Sequence, residues 1–218
     1  MTRAALACLV VAAALGCGGP PRTHTVINTN SPAEYPGVLH DPKTLRQDFM
    51  VRQTLTIKTR HEGKPVEGEL DVILQKQGDT LLIVGFGPMN AKAFTLTQKG
   101  DRIEFAQFMG PPLPFSPRNI VVDVHRVYFK RLPAPTEPTY SGVQRGELDG
   151  EHVEETWKDG QLRATVFTRP DDPKLKGAVR IEMSEGCTPA RCEPESAKLL
   201  NEWFDYTLGI ANEGYEAL

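Results

Sequence analysis

Apolar and polar residues alternate from residue 49 onward. "FMVRQTLTIKT", Phe49–Thr59, is rich in β-branched residues and predicts a half-buried strand. "GELDVILQKQ" follows the turn chemistry of "EGKPVE". "DTLLIVGFG", "KAFTLTQ" and "RIEFAQF" come next, separated by Gly78-Asp79, Gly87-Pro88 and Gly100-Asp101. Short strands at this spacing predict an antiparallel meander.

The period then changes. After "GPPLPFSPRN", Ser116 is a good N-cap and Pro117 suits the first helical position. Ile120, Val121, Val124, Val127 and Tyr128 fall at helical spacing, with Asp123, Arg126 and Lys130 on the other side. This predicts an amphipathic helix over Pro117–Lys130, laid on the sheet. A second meander follows in "YSGVQRGELDG", "EHVEETWKDG", "QLRATVFTRP" and "GAVRIEMSEG", with Asp149-Gly150 and Asp159-Gly160 as hairpin turns. In "AKLLNEWFDYTLGIAN", Trp203, Tyr206 and Ile210 fit a helix face, while Phe204, Tyr206, Leu208 and Ile210 alternate as in a strand. Aromatic content and the lack of a helix stop favour a closing strand.

The N-terminal residues read differently. The apolar run Ala4–Leu15 is shorter than the about 20 residues a spanning helix needs and fits the core of a secretory signal. It ends in Ala14-Leu15-Gly16-Cys17, which resembles the bacterial lipobox, where the cysteine is lipidated and becomes the first mature residue. The alternative is an ordinary signal cut after an Ala-x-Ala-like site. Residues 1–16 are thus expected to be removed, Cys17 to carry palmitate-type acyl chains, and residues 17–44, rich in Gly, Pro, Asn and Thr, to form a flexible tether. Residues 45–214 are left as one domain.

Charge narrows the partners. The net charge is −3, and losing Arg3 with the signal makes it one unit more negative. Nucleic-acid binding needs a basic patch, and none is evident. Of the four cysteines, Cys8 leaves with the signal and Cys17 takes the lipid. Cys187 and Cys192, in "CTPARC", are expected to form a disulfide in an oxidising compartment, stapling a loop between the last two strands. No second cysteine pair or nearby His supports a metal site.

Catalytic motifs fail in detail. "GFGPMNAK" lacks the Gly-Lys-Ser/Thr end of a phosphate loop, and "HVEE" lacks the cysteine pair of a zinc deaminase. There is no His-Glu-x-x-His and no Gly-x-Ser-x-Gly. These absences point away from an enzyme and from a cofactor. Apolar and aromatic side chains recur instead: Val72, Leu74, Leu81, Ile83, Phe94, Leu96, Ile103, Phe105, Val124, Trp157, Phe167, Trp203 and Phe204. They fit either an ordinary core or the lining of an apolar cavity.

Taken together, the lipoprotein-like start, "GPMNAKAFTLTQ", "NIVVDVHRVYF" and "NEWFDYTLGI" resemble a family of bacterial outer-membrane lipoproteins of unknown function, over residues 45–212. That family is similar to LolB-like lipoprotein receptors. The resemblance implies an unclosed antiparallel β-barrel, mainly β, of about 10–11 strands. One or more helices would cover an apolar cavity that holds acyl chains. In LolB-like proteins the turn after the third strand reads Asn-Pro-Leu-Gly, and its Leu projects to help transfer lipid. Here the turn is Gly87-Pro88-Met89-Asn90, which makes Pro88 and Met89 a membrane-contact loop by resemblance; the alternative is that Met89 folds back over the sheet edge as a minor core residue. Asn replaces Gly tolerably, because Asn also visits left-handed backbone. The expected protein is monomeric, non-enzymatic and outer-membrane-anchored, with its domain in the periplasm, binding a lipid, a glycolipid or an acylated protein. The alternative is a structural or assembly lipoprotein with a filled core and a protein partner.

Overall fold

A computed structural model describes residues 21–28, 35–45, 47–61, 63–110 and 116–218. The segment expected to be a signal, residues 1–16, and Cys17 lie outside the described residues. Twelve strands form one antiparallel sheet: β1 Thr23–Asn28, β2 Phe49–His61, β3 Lys64–Gln77, β4 Thr80–Phe86, β5 Lys92–Lys99, β6 Arg102–Gln107, β7 Gly142–Leu148, β8 Glu151–Lys158, β9 Gln161–Thr168, β10 Val179–Met183, β11 Ser196–Asn201 and β12 Tyr206–Ala217. Their order is β1-β6-β5-β4-β3-β2-β12-β11-β10-β9-β8-β7, so among the described residues β1 and β7 are the edges and the barrel is unclosed. The expected mainly β, open-barrel class is correct.

Alternation decides which side chains turn inward. Val72 and Leu74 on β3, Leu81 and Ile83 on β4, Phe94 and Leu96 on β5, and Ile103 and Phe105 on β6 all face one buried side. Burying each such side chain contributes roughly 1.5–3 kcal/mol. Gly85 also points inward, and a Cβ there would sit 2.2 Å from the Phe94 ring, so only glycine admits that ring. Register shifts at Gly85/Phe86, Thr156/Trp157 and Glu213/Tyr215 add the local twist that lets the sheet curl. Asp149-Gly150 and Asp159-Gly160 both have positive φ, as their hairpin turns require.

Several boundaries differ from expectation. The described residues hold twelve strands rather than ten or eleven. The turn after β2 is tighter than "EGKPVE", because Lys64–Glu67 already belong to β3. The C-terminal segment is a hairpin of two strands, β11 and β12, and Trp203 and Phe204 sit in its turn. Asn201 makes that turn, its side chain accepting from the backbone N–H of Trp203 and Phe204. The Cys187–Cys192 disulfide is present, but it staples the β10–β11 connection and so precedes the last hairpin.

The stretch read as a tether belongs in part to the fold. β1 pairs with β6, and Tyr35 is 2% exposed. From Tyr35 the chain lies along the helix as a strap. Arg118 donates to the carbonyls of Tyr35 and Gly37, and Arg126 to that of Pro36. Low apolar content hid this segment, because its anchors are backbone carbonyls and one tyrosine. At the other end β12 runs on to Ala217, past the expected limit at residue 214.

Helix α1 spans Pro117–Val124, capped by the Ser116 side chain on the Arg118 N–H, and continues as a single π turn over His125–Phe129. The Lys130 N–H reaches back five residues to the His125 carbonyl. The added residue in that turn re-aims the side chains after it. Arg131 then donates to the carbonyls of Arg126, Val127 and Lys130, satisfying the orphan acceptors of the helix end.

Candidate functional site

The helix does not lie on the sheet with a wet polar side. Val121, Val122 and Val127 are buried, and so are Asp123, His125, Arg126 and Lys130. It plugs the concave side of the sheet. The polar positions read as solvent-facing are instead paired inside.

Arg126 is the centre of this pairing. Its side chain is fully buried. Its guanidinium lies 2.5 Å from Glu151 and 3.6 Å from Asp123, and donates to the Tyr35 hydroxyl at 2.7 Å. The rings of Tyr35, Trp203 and Phe167 surround it, with centroids 5.0, 5.1 and 5.6 Å away. Burial works against the charge of Arg126, but Tyr35, Glu151 and Asp123 outweigh it and raise the pKa above the ordinary arginine value. Asp123 accepts from the hydroxyls of both Tyr35 and Tyr206. Burial raises the Asp123 pKa, while Arg126 and the two tyrosines hold it down. Asn201 donates to the Tyr35 hydroxyl at 2.8 Å.

A second chain of charges runs beside it. Lys130 lies 2.9 Å from Asp149, which also meets His40 at 2.9 Å. His125 pairs with Gln98 at 2.9 Å. Burial, with Lys130 and His40 nearby, depresses its pKa to about 3. Farther along β8, Glu155 accepts from the Leu132 N–H and the Trp157 indole.

Sequence reading missed Tyr35, Glu151, Asn201 and Tyr206, and misplaced Asp123, Arg126 and Lys130. One signal was legible. Glu151 and Glu155 share the strand face of Val153 and Trp157, so two carboxylates stand in phase with core positions. Carboxylates there need buried cations.

The cavity candidates meet a filled interior. Val72, Leu74, Leu81, Ile83, Leu96, Ile103, Phe105 and Phe167 are at most 4% exposed, with Phe94 and Trp157 close behind. Val124 and Trp203 are partly buried against this core, whereas Phe204 is 38% exposed and stacks edge-on against Tyr35. The plug takes the volume a cavity would need. The same inner face continues up β2, β3 and β12 to Leu55, Leu70 and Leu208, which are only half-buried. Two of the hollows on the described surface are polar in their lining. One, of about 280 Å³, is lined by Arg169, Asp171 and Asp172; the other, of about 270 Å³, by Arg52, Asp71 and Phe86. Neither is lined by a residue of the buried ion-pair network. Among the described residues no group of three or more His, Cys, Asp or Glu is placed to hold a metal ion.

Met89 stands apart from all of this at 97% exposure. Pro88–Asn90 form a tight turn in which the Ala91 N–H donates to the Pro88 carbonyl at 3.2 Å and the Gly87 N–H donates to the Ala91 carbonyl at 2.8 Å. Met89 and Asn90 both adopt left-handed backbone, with φ of 58° and 56°. That conformation costs an ordinary residue about 1 kcal/mol. A side chain held out at such a cost, with no core to enter, is a candidate contact residue. The turn shares one rim of the sheet with the start of β1, because Thr23 pairs with Gln107, Gln107 with Phe94 and Phe94 with Gly85. The β2–β3 hairpin rises past the same rim, since β4 ends opposite Asp71.

The family model described as "Protein of unknown function (DUF3261)" matches residues 50–213. No curated protein matches the sequence. Similar solved structures include a LolA superfamily protein from Nitrosomonas europaea, 9% identical, covering 82% of this chain and 90% of that one at a TM-score of 0.42. A domain described as outer membrane lipoprotein-sorting, from Vibrio parahaemolyticus, is 8% identical over 81% and 87% of the two chains, at 0.40. A DUF1329 family protein from Desulfovibrio piger is 13% identical over the same shares, at 0.39. Likenesses this distant carry no residue-level argument.

Proposed function

The chain belongs to the DUF3261 family, and we propose that it is a lipid-anchored, non-enzymatic envelope lipoprotein that touches a bilayer through Met89 and handles acyl chains at the outer membrane, on the periplasmic side. The observation that carries this reading is the exposed, left-handed Met89 turn on the rim where β1 begins. Only Gly18–Arg22 separate Cys17 from Thr23. Fully extended, such a segment reaches less than about 20 Å. Acylation of Cys17 would therefore keep the Met89 rim close to the membrane. Methionine is flexible and polarizable and suits varied apolar surfaces. Pro88 limits the entropy of presenting it.

Two substitutions test the reading. Cys17→Ala abolishes palmitate labelling and releases the protein from membranes; undiminished labelling would refute the anchor. Met89→Glu, in the full chain made non-acylated by Cys17→Ser, changes stability by no more than about 0.5 kcal/mol and weakens liposome binding. A much larger loss of stability would place Met89 in the core, and unchanged liposome binding would remove its membrane role.

A second reading, an assembly lipoprotein with a protein partner, is favoured by the filled interior. On the first reading an acyl chain rests on the half-covered Leu55, Leu70 and Leu208 or displaces α1. Lipid extraction and mass spectrometry on the full chain separate the two. Stoichiometric acyl species support the first, and their absence supports the second.

A further inference from the structure

The hollow below the Met89 turn is built on the convex face of the sheet. It holds about 270 Å³ and is lined by Arg52, Asp71, Ile73, Phe86, Asn90 and Glu213. Asn90 directly follows Met89, so the hollow begins where the exposed turn ends. Arg52 pairs in register with Glu213 on one side and Ile73 on the other; in the next row Thr54 faces Asp71, which faces Phe86.

The charges are arranged unusually. The Thr54 hydroxyl lies 3.1 Å from Asp71 and 3.5 Å from Glu213, so two carboxylates converge on one small donor. Neither has an ion-pair partner within 4 Å among the described residues, and neither does Arg52. Elsewhere on this surface Lys58 meets Glu67, Arg145 meets Glu154 and Arg163 meets Glu185 at 2.7–2.9 Å. The hollow thus sets a guanidinium and two neighbouring carboxylates, none of them ion-paired among the described residues, beside the apolar Ile73 and Phe86.

We propose that this hollow binds the headgroup of an aminophospholipid, with the lipid phosphate on Arg52, the primary ammonium between Asp71 and Glu213, and the glycerol end against Ile73 and Phe86. A guanidinium matches phosphate oxygens with two parallel N–H donors. An ammonium brings three donors to the two carboxylates, whereas a trimethylammonium brings none. The depth agrees as well. A lipid whose chain touches Met89 has its headgroup one residue away, at Asn90. The proposal rests on the membrane-contact reading of Met89 and adds the lipid class.

The test uses the full chain carrying Cys17→Ser. It is titrated with vesicles of phosphatidylcholine alone, or mixed with phosphatidylethanolamine or with phosphatidylglycerol. Binding is expected to tighten about tenfold with phosphatidylethanolamine, a readily measured difference, and less with phosphatidylglycerol. Asp71→Asn combined with Glu213→Gln should remove the ethanolamine preference and leave binding to pure phosphatidylcholine unchanged; Arg52→Gln should weaken the preference without disturbing thermal unfolding. Equal binding to phosphatidylcholine and phosphatidylethanolamine mixtures overturns the proposal, as does a preference that survives the double substitution. Tighter binding to phosphatidylglycerol than to phosphatidylethanolamine overturns it too, because Arg52 would then act as a simple anion contact. Met89→Glu reports separately. Loss of binding to every vesicle type upholds the membrane reading whatever the headgroup result; an ethanolamine preference that persists with undiminished binding in Met89→Glu removes the membrane role of Met89 alone.

Discussion

Replacing Arg126 with Met is expected to destabilise the protein by about 3–5 kcal/mol, seen as a fall of roughly 10 °C in the thermal midpoint. The magnitude follows from what is left behind. Glu151 is fully buried and meets Arg126 at 2.5 Å, and Asp123 and the Tyr35 hydroxyl share the same guanidinium. Met fills much of the volume and keeps apolar contact with Tyr35, Trp203 and Phe167, so lost packing is the smaller part. The larger part is a fully buried carboxylate left with only the Lys130 ammonium, 3.8 Å away. A second substitution distinguishes these causes. Arg126→Met together with Glu151→Gln should recover a substantial share of the loss, because the Glu151 charge that lost its guanidinium is then removed. If the double variant is no better than Arg126→Met, packing around the aromatic rings dominates and the electrostatic account is wrong.

Acidification is expected to weaken the fold through His125. This ring is completely buried, bonded to Gln98, and its pKa is depressed to about 3, chiefly by burial. An unfolded histidine titrates near 6.5. Between these values the unfolded chain takes up a proton that the folded chain refuses, so stability falls as pH drops. The slope is about 1.4 kcal/mol per pH unit for one such proton. Asp123 and Glu155 act in the opposite sense. Burial raises both pKa values, so the folded state takes up their protons first and gains stability on acidification. The difference between the parent and His125→Gln isolates the histidine. Denaturant unfolding at pH 7 and pH 5 should show the parent losing about 2 kcal/mol more than the variant. Parallel losses would mean that His125 accepts its proton in the folded state and that the local structure opens to admit it.

Both expectations concern residues whose identity is plain in the chain but whose environment is not. Alternation along β3, β4, β5, β6, β8 and β9 is a local property, and it was legible because one face of each strand is buried and the other is wet. Asp-Gly turns, the Ser116 cap and Pro117 are equally local, and all stand where they were expected. The cysteine pair was legible from its isolation, and it is bonded. Helical spacing also placed Val121 and Val127 inward correctly and set Asp123, Arg126 and Lys130 on another side. What spacing cannot say is what lies opposite each side.

That was decided by the tertiary structure. A sheet of twelve curled strands surrounds the helix on more than one side, so a polar helix face meets protein instead of water. Glu151, Tyr35 and the hairpin pair Asn201 and Tyr206 come together from three distant segments, and no local pattern links them. The strap at Tyr35–Gly37 was invisible for a related reason: it is held mainly by arginines on its own backbone carbonyls, which every residue type possesses. Sequence periodicity therefore determined the strands, the turns and the buried face of the sheet, because those depend on neighbours along the chain. Whether the interior is open or filled was settled only by long-range packing, because a charged side chain is buried when its partners arrive from elsewhere to meet it.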